Sequence, residues 1–190
     1  MVEALWLSFG VIFIAELGDK SQLLALAFAT RYRARPVLVG IAISTAIVHA
    51  LSVGAGALIA EELPTTAINA IAGIAFLGFA AWTLRGDRLG EADTERARKG
   101  GRSALVAAGV AFFIAELGDK TMLATITLAT RYHMFGTWLG STLGMVSADA
   151  IAIVVGRHLG TRLPERAVRV GAAALFVIFG GLLLYEAVTG

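Results

Sequence analysis

Two short stretches of this sequence concentrate its chemistry. Phe13 to Lys20 reads FIAELGDK, and Phe113 to Lys120 repeats the same eight residues. Each copy brings a Glu and an Asp three residues apart, Glu16 with Asp19 and Glu116 with Asp119, followed by Lys20 or Lys120 and then by Ser21 or Thr121. Side chains three apart share one face of a helix, and Gln22 continues that face in the first copy. Carboxylates, hydroxyls and an amide oxygen form an all-oxygen donor set, which suits a hard divalent cation such as magnesium, calcium or manganese. The chain has no Cys, and His49 is the one imidazole near membrane depth, so zinc and copper fit less well. Four carboxylates and two ammonium groups sum to a charge of −2. One divalent cation neutralises that, and so do two protons. Carboxylates crowded together away from water retain protons until a cation displaces them. Competition of cation and protons for the same oxygens is the minimum chemistry of a cation–proton exchanger.

The elements that carry these residues are strongly apolar. Of 190 residues, 57% are hydrophobic and 16% charged, against about 45–50% and about 25% in soluble domains. This composition excludes an ordinary soluble enzyme, a disordered chain and a nucleic-acid binder. About 20 apolar residues cross a bilayer as a helix, and six segments qualify, roughly 4–30, 37–60, 65–84, 104–130, 137–156 and 167–187. The acidic stretches then lie near the middle of the first and fourth spans, at about 1.5 Å of rise per residue. A charged side chain there costs at least about 2.5–3.5 kcal/mol, too much for six to be incidental. The plainer reading is a set of ion pairs that fix helix packing. Buried ion pairs stabilise poorly compared with apolar packing, which favours a functional role.

The repeat extends well beyond the acidic stretches. At the same offset of 100, Ala29-Thr30-Arg31-Tyr32 returns as Ala129-Thr130-Arg131-Tyr132, Gly40 as Gly140, and Leu63-Pro64 as Leu163-Pro164. Three spans form the unit, and an odd number inverts the second copy in the membrane. The expected fold is an all-α membrane protein of six transmembrane helices in two inverted three-helix repeats, 1–84 and 104–190, joined by a charged connector, 85–103. Inverted repeats with a site at their interface near the midplane are an architecture of secondary transporters. The loops after the first, third and fifth spans hold thirteen Lys and Arg residues, and the opposite loops hold only Arg131. Basic loops face the cytoplasm, which places the connector inside and both termini outside. Glu3 stands where a secretory signal would be basic, so Met1 is expected to open the first span.

Several further residues are candidates for supporting roles. His49 and Asp149 occupy equivalent repeat positions and could orient the cluster or relay protons; a lone intramembrane His is more often a hydrogen-bonded core residue, whereas a buried carboxylate carries a functional presumption. Met122, the counterpart of Gln22, is either a soft ligand favouring manganese or an apolar packing residue. Gly18 and Gly118 could bend or unwind their helices and free backbone carbonyls. Gly136, Gly140 and Gly144, with Pro36, Gly40 and Ser44 as counterparts, form small-residue faces that let helices approach closely. Glu186 is expected at an interface with water, and Trp6, Trp82, Trp138, Tyr32, Tyr132 and Tyr185 in an interfacial belt.

The two copies of Glu-Leu-Gly-Asp-Lys-Ser/Thr resemble the paired E-x-G-D-K/R-S/T signatures of uncharacterised protein family 0016, over nearly the whole chain. The resemblance implies exchange of manganese or calcium for protons in a bacterial plasma membrane. It assigns the acidic roles to Glu16, Asp19, Glu116 and Asp119, with Lys20, Lys120, Ser21 and Thr121 beside them. The implied partners are the divalent ion, protons and the lipid bilayer, with no nucleic acid and no prosthetic group; a homodimer is admissible. Competing readings are an intramembrane lipid-pyrophosphate phosphatase, which would need a phosphate-binding Arg/Ser segment at membrane depth, a structural protein without transport, and a carrier for another cationic solute.

Overall fold

The structure is a computed structural model that describes residues 1–85, 103–159 and 165–189. Most of the expected charged connector, residues 86–102, and residues 160–164 lie outside the described residues. Among the described residues all regular structure is helical: α1 (Val2–Glu16), α2 (Lys20–Arg31), α3 (Ala34–Glu62), α4 (Thr65–Arg85), α5 (Ala104–Glu116), α6 (Lys120–Ala129), α7 (Met134–Leu159) and α8 (Glu165–Thr189). Among the described residues four helical segments are long and apolar enough to cross a membrane, Ala34–Glu62, Thr65–Arg85, Met134–Val155 and Arg169–Thr189. A helix satisfies its own backbone groups, which is what an apolar solvent demands.

The segments expected as continuous spans at 4–30 and 104–130 are each two short helices instead. α1 and α2 have 15 and 12 residues; α5 and α6 have 13 and 10. Both breaks fall on Leu-Gly-Asp, and both have the same cause. Gly18 and Gly118 take φ of +75° and +79°, the left-handed region that glycine enters without steric penalty. Asp19 and Asp119 are then extended, with ψ of 166° in each, and sit at the N-cap of the next helix. Each Asp backbone N–H donates back to the preceding Glu carbonyl, at 3.0 Å for Asp19 to Glu16 and 3.2 Å for Asp119 to Glu116. An ideal Cβ on Gly118 would have no heavy-atom neighbour within 4 Å. The glycine is there for its backbone angle, not for space.

Helices from the two halves of the chain interleave. α1 lies along α7, α3 along α5, and α4 along α8. At the first of these contacts a Cβ on Gly140 would stand 2.2 Å from the Leu5 carbonyl oxygen. At the second, a Cβ on Gly40 would stand 2.4 Å from the Leu105 carbonyl oxygen. The same contact is therefore made twice, by residues 100 apart on both sides, and the small-residue faces do let backbones meet. Gly136 and Gly144 extend the α7 face against Met1 and Phe9. α4 and α8 meet through Phe76, Phe79 and Phe176, with the Phe76 and Phe176 rings 5.7 Å apart. Leu24, Phe28, Ile41 and Phe112 fill a second core among α2, α3 and α5. Trp138 donates its indole N–H to the Ala46 carbonyl at 2.9 Å, tying α7 to α3.

Candidate functional site

The two breaks bring the charged residues together. Glu16 ends α1 and Lys20 begins α2; Glu116 ends α5 and Lys120 begins α6. Glu16, Asp19, Glu116, Asp119 and Asp149 are all buried, at 2% exposure or less. They form one electrostatic neighbourhood: Glu16 interacts with the charges of Glu116, Asp19, Asp149 and Lys120, and Glu116 with those of Asp119, Asp19 and Asp149. The cluster thus draws on both copies of the repeat, with Asp149 reaching it from α7.

The two lysines pair crosswise. Lys20 Nζ lies 2.9 Å from Asp119 Oδ1, and Lys120 Nζ contacts Asp19 Oδ1. Ion pairing between helices, the plainer of the two readings offered by the sequence, is present, but it accounts for only Asp19 and Asp119. Both carboxylate oxygens of Glu16, both of Asp149, and Oε1 of Glu116 are buried with no hydrogen-bond partner among the described residues. Unpaired buried carboxylates are costly, so packing alone gives no reason to keep them. In this arrangement no three His, Asp or Glu side chains among the described residues stand close enough to hold one ion.

The neighbouring polar groups are already engaged, and differently in the two copies. Asp19 Oδ2 accepts from the Ser21 backbone N–H at 3.4 Å and from its hydroxyl at 3.3 Å. Thr121 instead donates its hydroxyl to Glu116 Oε2 at 2.9 Å. Gln22 braces the first break: its Oε1 accepts the Gly18 N–H at 2.8 Å and its Nε2 donates to the Ala148 carbonyl at 3.0 Å. Met122 does the equivalent work in the second, its sulfur 3.2 Å from the Gly118 N–H. Sequence reasoning weighed Met122 as ligand or packing residue and missed this third role, which follows only from the turn that aims the glycine amide at position 22 or 122.

His49 and Asp149, though equivalent in the repeat, have different surroundings. His49 Nδ1 lies 3.4 Å from the Thr142 hydroxyl, whereas Asp149 has no protein hydrogen bond among the described residues. Thr45 and Met145, one helical turn before them, are themselves repeat counterparts and touch each other, hydroxyl to sulfur at 3.2 Å. Glu186 lies apart from the cluster and is exposed. It accepts from Arg131 Nη2 at 2.5 Å and from Asn69 at 3.5 Å.

Residues 4–91 and 104–190 match the family described as divalent cation/proton antiporter GDT1. The chain belongs to that family. It is 34% identical to a Vibrio cholerae protein provisionally named a manganese exporter, over 94% of this chain and 88% of that one. It is 33% identical to a GDT1-like protein of Synechocystis, over 89% and 90%, and 27% identical to a GDT1-like protein of rice, Oryza sativa, over 94% and 72%. No solved structure matches with significance. The family is one of cation/proton antiporters, so the chain is a transporter and not an enzyme, and the phosphatase reading is set aside.

Proposed function

We propose that this chain exchanges manganese, or failing that calcium, for protons through the carboxylates at its two helix breaks. The observation that carries this reading is the set of buried, unpaired oxygens on Glu16, Glu116 and Asp149 beside Asp19 and Asp119. These are hard oxygen donors with nothing else to do, and a divalent ion or protons would satisfy them. Glu16, Asp19, Glu116 and Asp119 would hold the cation, with Ser21, Thr121 and Gln22 shaping the donor set. Asp149 would serve as a further acidic group, and His49 as a support. The lysine–aspartate contacts would have to open for several carboxylates to converge on one ion.

In this reading each broken helix pair crosses the membrane as one span, making six. The contacts made twice, at Gly40 with Leu105 and Gly140 with Leu5, support two inverted repeats, 1–84 and 104–190. The distribution of Lys and Arg supports a cytoplasmic connector and external termini in the cell membrane. The exporter-named relative from Vibrio cholerae supports manganese as cargo and outward movement. The two repeats would rock against each other around the cluster. Proteoliposomes loaded with manganese, calcium or magnesium under an imposed pH gradient test the function. Manganese movement with proton counter-flow, stopped by Glu116→Gln, is the expected result; movement of none of the three ions by wild-type protein overturns it.

A further inference from the structure

We propose that Lys20 and Lys120 are built-in competitors for the transported ion, and that cargo binding displaces them from Asp119 and Asp19 and so releases two ion pairs that join the halves of the chain. This inference rests on the cation-exchange reading above and adds the coupling step to it.

Both ion pairs cross between repeats, Lys20 of the first to Asp119 of the second and Lys120 of the second to Asp19 of the first. Each therefore joins the start of one short helix to the break in the opposite half. Two ammonium groups carry the same charge as one divalent cation, so exchanging one for the other leaves the aspartates neutralised. Neither lysine needs to lose its proton for this to happen.

The displaced ammonium groups have places to go. A lysine stem is flexible and its charge compact. The Lys20 side chain is already 23% exposed, and it interacts with the charge of Glu116, whose Oε1 lacks a hydrogen-bond partner among the described residues. Lys120, with only 4% of its side chain exposed, interacts with Glu16, whose two oxygens are unpartnered in the same sense. The ammonium groups can thus shift toward water or the glutamates as the ion takes the aspartates. Cargo occupancy and the strength of the contact between halves become one equilibrium, as alternating access requires.

The test is a manganese titration of the purified full chain, read by the loss of the free-ion electron paramagnetic resonance signal, alongside exchange in proteoliposomes. Lys20→Gln and Lys120→Gln should each bind manganese about tenfold tighter while turnover falls, so that KM and kcat drop together. Lys20→Arg and Lys120→Arg keep the charge and pair more firmly with a carboxylate, and should bind no tighter than wild type. Size-exclusion profiles identify folded protein, and Lys20→Gln, at the more exposed pair, carries the same expectation should Lys120→Gln fail to fold. Gln variants that bind manganese with unchanged or weaker affinity overturn the inference. Wild-type protein that binds no divalent cation overturns the exchange reading itself and this inference with it.

Discussion

Glu16 is a buried carboxylate whose oxygens meet no hydrogen-bond donor among the described residues. Such a group destabilises the fold that contains it, so its replacement separates stability from function. Glu16→Gln should leave thermal stability in detergent equal or higher, while manganese exchange in vesicles falls by about 10–100-fold or more, the range seen when groups around a metal are removed. A drop of several degrees in Tm would instead mark Glu16 as a packing residue. Glu116 differs because Thr121 already donates to one of its oxygens. Glu, Asp and Lys at these positions were legible in the sequence as a candidate site, because six charges at the expected membrane depth require an explanation. Their partners were not legible. Each lysine has an aspartate next to it in sequence and another 99 or 101 residues away, and only tertiary packing brings the distant one into ion-pair contact.

At the level of elements, the decisive feature is the pair of breaks at Leu-Gly-Asp. The glycine alone pointed to a bend or local unwinding, and the structure makes it a complete helix end and a new helix start with the aspartate at the N-cap. Gly118 has open space around its Cβ position and a φ of +79°. Gly118→Ala should therefore destabilise by about 1–2 kcal/mol through backbone strain alone, and Gly118→Asn by less, since Asn tolerates this region better. Equal effects of the two in denaturation curves would show that the break does not depend on the left-handed turn. Close helix contacts give the opposite case. Gly140→Ala forces a Cβ onto the Leu5 carbonyl and should cost about 1–3 kcal/mol, whereas Gly10→Ala, with no heavy atom within 4 Å, should be tolerated. The spacing of Gly136, Gly140 and Gly144 pointed to a packing face; it could not say that α1 would be the helix packed there.

Across the whole molecule, the offset of 100 residues relates both the sequence motifs and the helix contacts. Repeat-equivalent contacts recur at Gly40 and Gly140, and the crosswise lysine pairs obey the same symmetry. The symmetry is incomplete where it concerns chemistry: Gln22 faces Met122 in the comparison, and His49 faces Asp149. The proposed orientation in the membrane rests on the distribution of Lys and Arg and is open to a direct check, because the chain has no Cys of its own. A single Cys introduced as Glu61→Cys should react with an impermeant maleimide on intact cells, and Thr94→Cys only after permeabilisation; the reverse pattern would invert the topology. The central claim is that both breaks build one shared cation site. Manganese titration with Glu16→Gln and Glu116→Gln tests it most directly. The account predicts one high-affinity ion per wild-type chain and its loss in either variant, because each removes a carboxylate from the same cluster. Full-affinity binding retained by either variant would contradict it.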